Sequence, residues 1–362
     1  MKKKEYDYTA AGVNRNLRKE SKKSLRNLLE PTFKLSRYGK MVQLPFGKIF
    51  PTGRRTWMDL TIEGVGTKVL LPQLAEKYDT IGIDGVAMAV NDVIRSGARP
   101  LSVVDNIHAH ESNPDLVKGW IKGIARGAIE SGCPVPGGEI GDVAEIIKGL
   151  QESDAFDMVV ASVGEIRGEK AIIRGNNLVP GDRIIGLRSS GLHSNGISLA
   201  RKVLFKSWGG KFYPFDIPDG FDREIVFEAL EPTKIYVKPV LAANKEHKIK
   251  AAVHITGDAY LKFGELMKFS KGIGFSFDNF RPQPIFSLIQ KVAPEVKGTI
   301  SDLEMFRTFN MGWGFALVVA AEDVSGILRR LKRNGAEAEI IGSVTGSGKI
   351  IVKHGGKMIV LK

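Results

Sequence analysis

Residues 61–68 read T-I-E-G-V-G-T-K. They continue an apolar segment, residues 57–62, that has the pattern of a strand and leads into the glycines. Gly64 and Gly66 lack a Cβ atom, so the backbone can turn through positive φ there and bring its N–H groups close to an anion. Glu63 cannot bind phosphate directly, but its carboxylate can bind the Mg²⁺ that phosphate carries. A strand that ends in Gly-x-Gly is also a common tight turn, so other parts of the chain must decide between the two interpretations.

Two polar residues complete the same turn. Thr67 offers a hydroxyl and Lys68 a point charge, and both groups bind phosphate oxygens. One short loop therefore supplies both signs of charge. This combination indicates phosphoryl chemistry.

An acidic helix is predicted shortly after this turn, over residues 85–96. Asp84 and Asp92 are eight residues apart and share one face of such a helix. Asp84 is interpreted as a helix cap. Asp92 lies among alanines and valines, where an unpaired carboxylate is costly, and a bound metal ion would remove that cost. Asp92 is therefore a candidate metal ligand.

Another pair of glycines precedes an acid at Gly137-Gly138-Glu139. The pattern repeats that of the first turn, with glycines that let the backbone approach an anion and a carboxylate beside them. A structural turn explains it equally well. Both interpretations of this motif stay open.

The second half of the chain contains a loop of small residues, S-S-G-L-H-S-N-G at residues 189–196, directly before a predicted helix at 197–205. Backbone N–H groups, the start of the helix and the serine hydroxyls form an anion site without a lysine. His193 in this loop can act as an acid, a base or a phosphate donor. Further along, residues 307–312 place a cation, Arg307, and an amide, Asn310, before a buried strand.

The order of elements predicts an α+β or α/β protein of two layered domains. In the first domain, strands at 57–62, 69–71, 101–107 and 156–163 accompany helices at 85–96 and 114–131, a split β-α-β (ferredoxin-like) layout with helices on one face. Asn113 and Gly132 are predicted to cap the second helix. In the second domain, strands alternate with helices and predict a mixed sheet packed with helices. We expect a lead-in at 1–55 and domains at 56–168 and 169–362, with the boundary near Gly168.

Composition agrees with a globular protein. The chain has 362 residues, 43% of them hydrophobic, which is enough for two cores. No apolar run approaches the roughly 18 residues of a membrane span. The first residues lack the apolar core of a secretion signal, and a single cysteine, Cys133, agrees with a reducing compartment, so we expect a cytoplasmic location.

The positive charge of the chain is confined to its start. Residues 1–55 hold 15 Lys+Arg against 4 Asp+Glu, whereas the remaining residues hold 38 against 36. Three interpretations stay open for this arm: a solvated helix over residues 16–29, a segment that closes over a polyanionic ligand, or a contact with nucleic acid. The chain has no arginine-glycine repeats and no aromatic-interleaved ones, so nucleic acid is not favoured.

Taken together, the motifs are similar to those of a known family. They occur in one order along nearly the whole chain: T-A-A-G-V-N from Thr9, E-G-V-G-T-K, D-T-I-G-I-D-G-V-A-M-A-V-N-D from Asp79, G-G-E, S-S-G-L-H-S-N-G, E-P-T-K-I-Y-V-K-P-V from Glu231, H-I-T-G and M-F-R-T-F-N-M-G-W-G from Met305. Their order and coverage resemble the phosphoribosylformylglycinamidine cyclo-ligase (aminoimidazole ribonucleotide synthetase) family of purine biosynthesis.

This resemblance implies a homodimer whose N-terminal sheets pair into a barrel, with ATP and Mg²⁺ in the cleft. It implies that ATP phosphorylates the formyl oxygen of formylglycinamidine ribonucleotide, after which a nitrogen closes the imidazole ring. The resemblance assigns to Mg²⁺ the residues Glu63, Asp92 and Glu139, and to the nucleotide Gly64, Val65, Gly66, Thr67, Lys68 and Asn91. It assigns to the substrate Ser190, Gly191, His193, Ser194, Asn195, Arg307 and Asn310, and catalytic roles to Lys68 and His193.

The chain departs from the family pattern at Glu63, where aspartate is usual, at residues 140–144, and at Asp258-Ala259, where glycine is usual. A carboxylate at position 258 opposes the binding of an anion beside it. Two alternatives therefore stay open. The first is a sister enzyme that uses ATP on another substrate, and the second is a non-catalytic relative that binds nucleotide or RNA through its basic arm.

Overall fold

The computed structural model describes residues 5–362, which form two β-sheets with helices packed against them. The strands are β1 (Val42–Leu44), β2 (Gly47–Gly53), β3 (Thr56–Gly64), β4 (Arg99–Ala109), β5 (Gly138–Asp142), β6 (Phe156–Arg167), β7 (Arg183–Arg188), β8 (Ala251–His254), β9 (Gly274–Phe277), β10 (Trp313–Val319), β11 (Ala338–Thr345), β12 (Ile350–His354) and β13 (Lys357–Val360).

The α-helices are α1 (Arg15–Leu29), α2 (Leu70–Ala75), α3 (Ile81–Ile94), α4 (Pro114–Ser131), α5 (Ile197–Leu204), α6 (Ile225–Leu230), α7 (Val237–Glu246), α8 (Phe263–Leu266), α9 (Pro284–Val296), α10 (Asp302–Thr308) and α11 (Val324–Arg333). Short 3₁₀ helices span Glu30–Leu35, Gly66–Val69, Glu169–Ala171, Lys206–Trp208, Ala259–Lys262 and Ala321–Asp323. None of the helices within residues 5–362 is long and apolar enough to cross a bilayer.

The first sheet has the order β1-β2-β3-β6-β4-β5 and contains the predicted split β-α-β unit. Strand β6 is antiparallel to both β3 and β4, so β3 and β4 run in the same direction with β6 between them. Helix α3 connects these two strands and packs against both β3 and β6. The carboxyl end of β3 and the whole of α3 therefore lie next to each other, which places Glu63 near Asp92.

Helix α3 is buried along its whole length because it lies between the sheet, helix α4 and the second domain. The two helices cross at a pair of glycines. A Cβ atom on Gly82 would lie 2.3 Å from the backbone nitrogen of Ile124, and one on Gly123 would lie 2.9 Å from the backbone nitrogen of Gly82. The close crossing needs both glycines.

Helix α4 begins and ends where the sequence predicts. The side chain of Asn113 accepts a hydrogen bond from the backbone N–H of Asp115, and Pro114 occupies the first helical position. Gly132 ends the helix with a left-handed conformation, φ 70°. These local signals fix both ends of the helix.

The second sheet is mixed and has the order β13-β12-β9-β11-β7-β10-β8. Strand β12 is parallel to β9, and its other neighbour and the remaining pairs are antiparallel. Strand β10, which lies between β7 and β8, is buried at every position. The structure therefore confirms an α+β fold of two domains, each with a mixed sheet and helices.

Two local predictions differ from the structure. The strand expected at residues 69–71 is wrong, because Val69 ends a 3₁₀ helix and Leu70–Ala75 forms α2. Three apolar residues are too few to separate a period of 2 from one of 3.6. The lead-in also contains strands β1 and β2, which pair with each other and then with β3. Its prolines and glycines gave no sign of this hairpin.

The outer face of the first sheet is apolar and exposed. On the strands in its centre, Leu60 is 62% exposed, Ile62 69% and Val104 42%. The helices cover only the opposite face, where Val103 and Val160 are buried. This arrangement leaves a hydrophobic sheet face without a partner among the described residues.

The N-terminal arm crosses the second domain before it reaches the first sheet. The backbone N–H of Tyr6 donates to the carbonyl of Thr299 at 2.8 Å, and Lys202 Nζ donates to the carbonyl of Ala11 at 3.0 Å. Helix α1 then follows, as predicted, and exposes Leu17 and Leu28. We call residues 5–15, which lie on the second domain, the N-terminal strap.

Candidate active site

The candidate site lies where the carboxyl end of β3 meets two loops of the second domain. Thr67 Oγ1 and Ser198 Oγ are 2.9 Å apart, which joins the Gly-Thr-Lys turn to the first turn of α5. A Cβ atom on Gly257 would lie 3.4 Å from Oδ1 of Asn195, so the H-I-T-G loop adjoins the small-residue loop. Three separate sequence motifs thus meet between the two domains, and we call the region where they meet the cleft.

Two carboxyl groups lie together in this cleft. Burial, the nearby charge of Asp92 and a hydrogen bond between the two groups raise the pKa of Glu63 to about 7. Burial opposes the ionisation of Asp92, but Arg95 and His254 outweigh it and hold the pKa of Asp92 well below its usual range. Asp92 is therefore ionised near neutral pH, while Glu63 readily holds a proton. The structure brings together two of the three predicted metal ligands.

Asp92 is held on both sides. Arg95 Nη2 lies 2.6 Å from Asp92 Oδ2, and Nδ1 of His254 lies 2.8 Å from Asp92 Oδ1. Burial lowers the pKa of His254 to about 4, so its ring is neutral at neutral pH and Nδ1–H donates to the carboxylate. The other ring nitrogen, Nε2, is buried and has no partner in the described part of the chain.

A lysine completes the group of charges. Lys262 Nζ donates to the carbonyl oxygen of His254 at 3.2 Å and to Oγ1 of Thr256. Burial lowers the pKa of Lys262 to about 8, and the nearby charge of Asp92 opposes that shift. Within residues 5–362, Lys262 forms no ion pair with a carboxylate at 4.0 Å or less. The ammonium is thus close to the carboxyl pair without being bound to either member.

A small cavity of about 80 Å³ adjoins Asp92. The hairpin of β1 and β2 forms one wall, through Phe46 and Lys48, and Asp59, Asp92 and Arg95 contribute the polar lining. The guanidinium of Arg95 lies 4.9 Å from the ring centre of Phe46. The cavity thus connects the hairpin to the charged end of α3.

Lys68 lies at the domain junction and not in the open cleft. Its Nζ lies 2.8 Å from Oδ1 of Asp84 and donates to the carbonyl of Glu231 at 2.8 Å, and both charged side chains are fully buried. Thr233 donates to the same Asp84 oxygen through its backbone N–H at 2.9 Å and its hydroxyl at 2.6 Å, and Ser194 donates to it at 3.0 Å. Asp84, interpreted as a cap, instead joins the two domains.

Asn91 also connects the domains. Its Nδ2 donates to the carbonyl of Lys234 at 2.8 Å, and its Oδ1 accepts from the backbone N–H of Tyr236 at 2.9 Å. Both polar atoms of the amide are therefore used by the segment that leads into α7. Asn91 fixes α3, and with it the neighbouring Asp92, against the second domain.

Hydrogen bonds within the small-residue loop, and one from the loop to Pro232, hold its conformation. His193 is fully buried, has φ 59°, and accepts a hydrogen bond at Nε2 from the backbone N–H of Ser190 at 3.2 Å. Burial lowers the pKa of His193 well below its usual range, so the ring is neutral. Ser190 donates to the carbonyl of Pro232 at 2.5 Å. In this structure His193 supports the loop and has no surface open to the cleft.

Asn310 also supports the small-residue loop. Its Nδ2 donates to the carbonyl of Gly191 at 2.8 Å, and its Oδ1 accepts from Ser189 Oγ at 3.0 Å. Arg307 points elsewhere, since its Nη2 donates to the carbonyl of Leu361 at 2.9 Å. Of the predicted substrate residues, Ser194 and Asn195 lie closest to the Gly-Thr-Lys turn and the acidic helix: Ser194 contacts Asp84, and Asn195 contacts Met88 at 3.9 Å.

The strap covers this region. Arg15 lies 2.9 Å from Oε1 of Glu304 and 3.2 Å from Oδ1 of Asp258, and it also donates to Thr308 Oγ1 at 2.6 Å. Its guanidinium lies 4.9 Å from the ring centre of Tyr8. The unusual carboxylate at position 258 is therefore paired, and its charge does not act freely on the anion site.

Glu139 is not part of this group. It lies on β5 and is exposed. In the sheet register, Gly64 pairs with Val159, Val159 with Asn106, and Asn106 with Glu139. Three strand spacings of about 4.8 Å thus separate Glu139 from the end of β3. Within residues 5–362 no cluster of three or more metal-ligating side chains is assembled, so the predicted set of three ligands is not formed within one chain.

Sequence reasoning missed four residues of the site: Arg95, His254, Lys262 and Arg15. His254 begins the H-I-T-G motif, so a signal existed for it. Arg95 follows Asp92 by three residues, a spacing at which helical side chains meet. Lys262 and Arg15 contact residues far away or in irregular loops, and no local pattern marks them.

Comparisons with known proteins agree with this architecture. The family model described as AIR synthase related protein, N-terminal domain, matches residues 49–166, and the model for the C-terminal domain matches residues 179–355. Together they identify the class of protein as AIR synthase related. Residues 5–362 contain both characteristic sheets, with the cleft between them.

Curated relatives narrow the class. Phosphoribosylformylglycinamidine cyclo-ligase of Bacillus licheniformis is 41% identical over 290 residues, 80% of either chain. The protein of the same name from Bacillus pumilus is 37% identical over 358 residues, 97% of this chain and 99% of that one. The chain belongs to the phosphoribosylformylglycinamidine cyclo-ligase family.

Solved structures share the fold at much lower identity. T. maritima PurL complexed with ATP has a TM-score of 0.55 and 18% identity, over 84% of this chain and 43% of that one. E. coli HypE has a TM-score of 0.58 and 16% identity, over 86% of both chains. These similarities concern the fold alone.

Proposed function

We propose that this protein catalyses the ATP-dependent closure of formylglycinamidine ribonucleotide to aminoimidazole ribonucleotide in purine biosynthesis. The observation that carries the proposal is the Glu63–Asp92 pair at the point where β3 enters the G-V-G-T-K turn, in a chain whose relatives bear the cyclo-ligase name. Thr67 of the same turn contacts Ser198 at the start of α5. The proposal places the enzyme in the cytoplasm, in line with its single cysteine, Cys133.

The reaction has two steps, and in each step one bond forms while another breaks. The formyl oxygen attacks the terminal phosphorus of ATP, the P–O bond to ADP breaks, and the oxygen becomes part of a phosphate leaving group. A nitrogen of the substrate then attacks the formyl carbon, the C–O bond breaks, phosphate leaves and a proton is released. Such a reaction needs positioning and charge compensation more than covalent catalysis by the protein.

The donor set fits Mg²⁺. Hard oxygen ligands suit this ion, which is commonly held by one or two carboxylates and by the phosphates of its substrate. Glu63 and Asp92 supply two such carboxylates, and His254 and Arg95 fix the orientation of Asp92. When bound, Mg²⁺ would neutralise the charge that develops on the phosphates. The proton that Glu63 holds near neutral pH would leave when the ion binds.

Residues of the chain would bind the phosphates and position the substrate. We assign the phosphates of ATP to the turn from Gly64 to Lys68, whose glycines let the backbone come close to an anion, and to the start of α5, which adds the favourable end of its dipole. Ser194 and Asn195 supply polar atoms on the substrate side. Lys68 and His193, both buried, act in this state by positioning; a direct contact of Lys68 with phosphate requires its pair with Asp84 to open.

We further propose that the enzyme is a homodimer joined through the outer face of the first sheet. Leu60, Ile62 and Val104 form an exposed hydrophobic surface there, and a second copy of the same face would cover it and close the sheets into a barrel. Glu139 lies on this sheet as well, so pairing of the two sheets would also change its surroundings.

The test is a coupled assay with purified protein, Mg-ATP and formylglycinamidine ribonucleotide. We expect ADP and aminoimidazole ribonucleotide to form in equal amounts, with no ADP released when the substrate is left out. ADP release with another amide or oxygen acceptor alone would indicate a sister enzyme of the superfamily. RNA binding that weakens with salt, without ATP turnover, would indicate a non-catalytic relative.

A further inference from the structure

Lys262 is a partly buried charge of the cleft whose role the reaction described above leaves open. It belongs to the 3₁₀ helix Ala259–Lys262, directly after the H-I-T-G loop. Its amine donates to the carbonyl of His254, and Nδ1 of the same histidine lies 2.8 Å from Oδ1 of Asp92. The side chain therefore reaches from the second domain toward the ligands proposed for Mg²⁺.

The charges in the cleft show why the amine is unusual. Arg95 lies 2.6 Å from Asp92 and so compensates that carboxylate. Lys262, in contrast, forms no ion pair with any carboxylate of the described residues. Burial also disfavours its charge. An ammonium in such surroundings is costly unless an anion pairs with it.

The hydrogen bonds of Lys262 leave room for such an anion. An ammonium has three N–H donors, and the acceptors in the structure are the carbonyl of His254 and the hydroxyl of Thr256. One donor remains for a ligand. The residue is partly exposed, so a ligand can approach it.

We propose that Lys262 is a phosphate-binding residue of this site, whose ammonium contacts a phosphate group beside the Glu63–Asp92 pair. A lysine binds phosphate as a point charge and does not require a fixed bidentate geometry. The phosphate can belong to the nucleotide or to the phosphoribosyl group of the substrate. This inference rests on the proposed function, because that function brings both phosphates into the cleft.

The experiment measures binding and not turnover. Titration calorimetry at neutral pH compares wild type with Lys262→Met and Lys262→Arg, using Mg-ADP, adenosine and ribose 5-phosphate. We expect Lys262→Met to weaken Mg-ADP or ribose 5-phosphate by roughly tenfold or more, and to leave adenosine within about twofold. Lys262→Arg should recover part of the loss because it keeps the charge. The ligand that is weakened identifies the source of the phosphate.

Two further variants separate charge from structure. Lys268→Met removes an exposed lysine that pairs with Glu265 and should leave both dissociation constants unchanged. Thr256→Val removes a hydrogen-bond partner of Lys262 but keeps the ammonium, so phosphate binding should survive. If Lys262→Met does not fold, Lys262→Gln takes its place.

The proposal is overturned if both phosphate ligands keep their affinity in Lys262→Met, or if adenosine is weakened as much as Mg-ADP, since the second result means a structural role only. Wild type that binds none of the three ligands overturns the proposed function together with this inference. Wild type that binds and turns over its substrates, with Lys262→Met unchanged, overturns this inference alone.

Discussion

Nδ1 of His254 lies 2.8 Å from Oδ1 of Asp92 and joins the H-I-T-G loop of the second domain to the acidic helix of the first. The neutral ring donates its proton to an ionised carboxylate, so the contact orients Asp92 without cancelling its charge. A metal ligand held in this way keeps its geometry before the ion arrives. The domain junction and the proposed metal site therefore share the same residues.

Asp92→Asn is expected to lower turnover by more than about tenfold, because the amide is a weak Mg²⁺ ligand and leaves Arg95 without its partner. The loss of the buried pair should also lower the free energy of unfolding by about 3 kcal/mol. Steady-state kinetics and urea unfolding test both effects. Asp79→Asn, which removes a partly exposed ion pair with Lys77, is the control and should change neither quantity much.

Lys68→Met is expected to lower the free energy of unfolding by about 3–5 kcal/mol, because Asp84 then remains buried without its cation. Adding Asp84→Asn to the same protein should restore part of that loss. Urea unfolding of both single variants and the double variant measures the coupling. If Lys68→Met keeps full stability and loses only turnover, the direct phosphate contact predicted from the sequence is correct and the structural role is wrong.

The stability of the metal-free protein should depend on pH through Glu63. Its pKa is raised from 4.5 to about 7 in the folded protein, so between these values the folded state holds more protons than the unfolded chain. Stability contributed by this group is present at lower pH and is lost as pH rises through about 7. Urea unfolding in EDTA at mildly acidic and mildly alkaline pH should show this loss in wild type and not in Glu63→Gln.

Magnesium provides the matching control for that experiment. The ion binds the ionised pair, so it should restore stability to wild type at alkaline pH and have little effect on Glu63→Gln. Parallel pH profiles for the two proteins, with or without the ion, would contradict the placement of Glu63 beside Asp92.

Ile62→Lys should convert the proposed dimer to a monomer, because it places a charge in the centre of the exposed sheet face, where Ile62 is 69% exposed. Sedimentation velocity measures the change as a halving of the mass. Ile129→Lys, on the outer surface of α4, alters an even more exposed isoleucine, at 81%, and should leave the mass unchanged. A wild type that already sediments as a monomer at micromolar concentration would refute the sheet interface.

The elements that the sequence predicts well have strong local signals. Helix α4 begins at Pro114 after the Asn113 cap and ends at Gly132, and each of these residues favours one conformation for reasons that do not depend on the rest of the chain. Helix α5 also begins at Ile197, where the helix predicted at 197–205 begins, and ends one residue earlier than predicted, at Leu204. By contrast, the β1–β2 hairpin exists because β3 offers it a sheet edge, which no local pattern encodes.

The residues of the candidate site also fall into those with a local sequence signal and those without one. Glu63 and Asp92 could be predicted because each lies in a motif whose chemistry needs a carboxylate. The surroundings of Lys68 and His193 could not, since their partners Asp84, Glu231 and Ser190 meet them only in the folded chain. A lysine after two glycines resembles a phosphate ligand in sequence whether or not a carboxylate 16 residues away captures it.

The strap has a consequence for the order in which the protein folds. Arg15 is separated by 243 residues from Asp258 and by 289 from Glu304. During synthesis the strap leaves the ribosome long before its partners are made. Contacts of such long sequence separation form late, because closing the large loop costs entropy before any contact repays it. The strap is thus made early and fastened late, and the contacts that hold it over the cleft can form only after Asp258 and Glu304 have been synthesised.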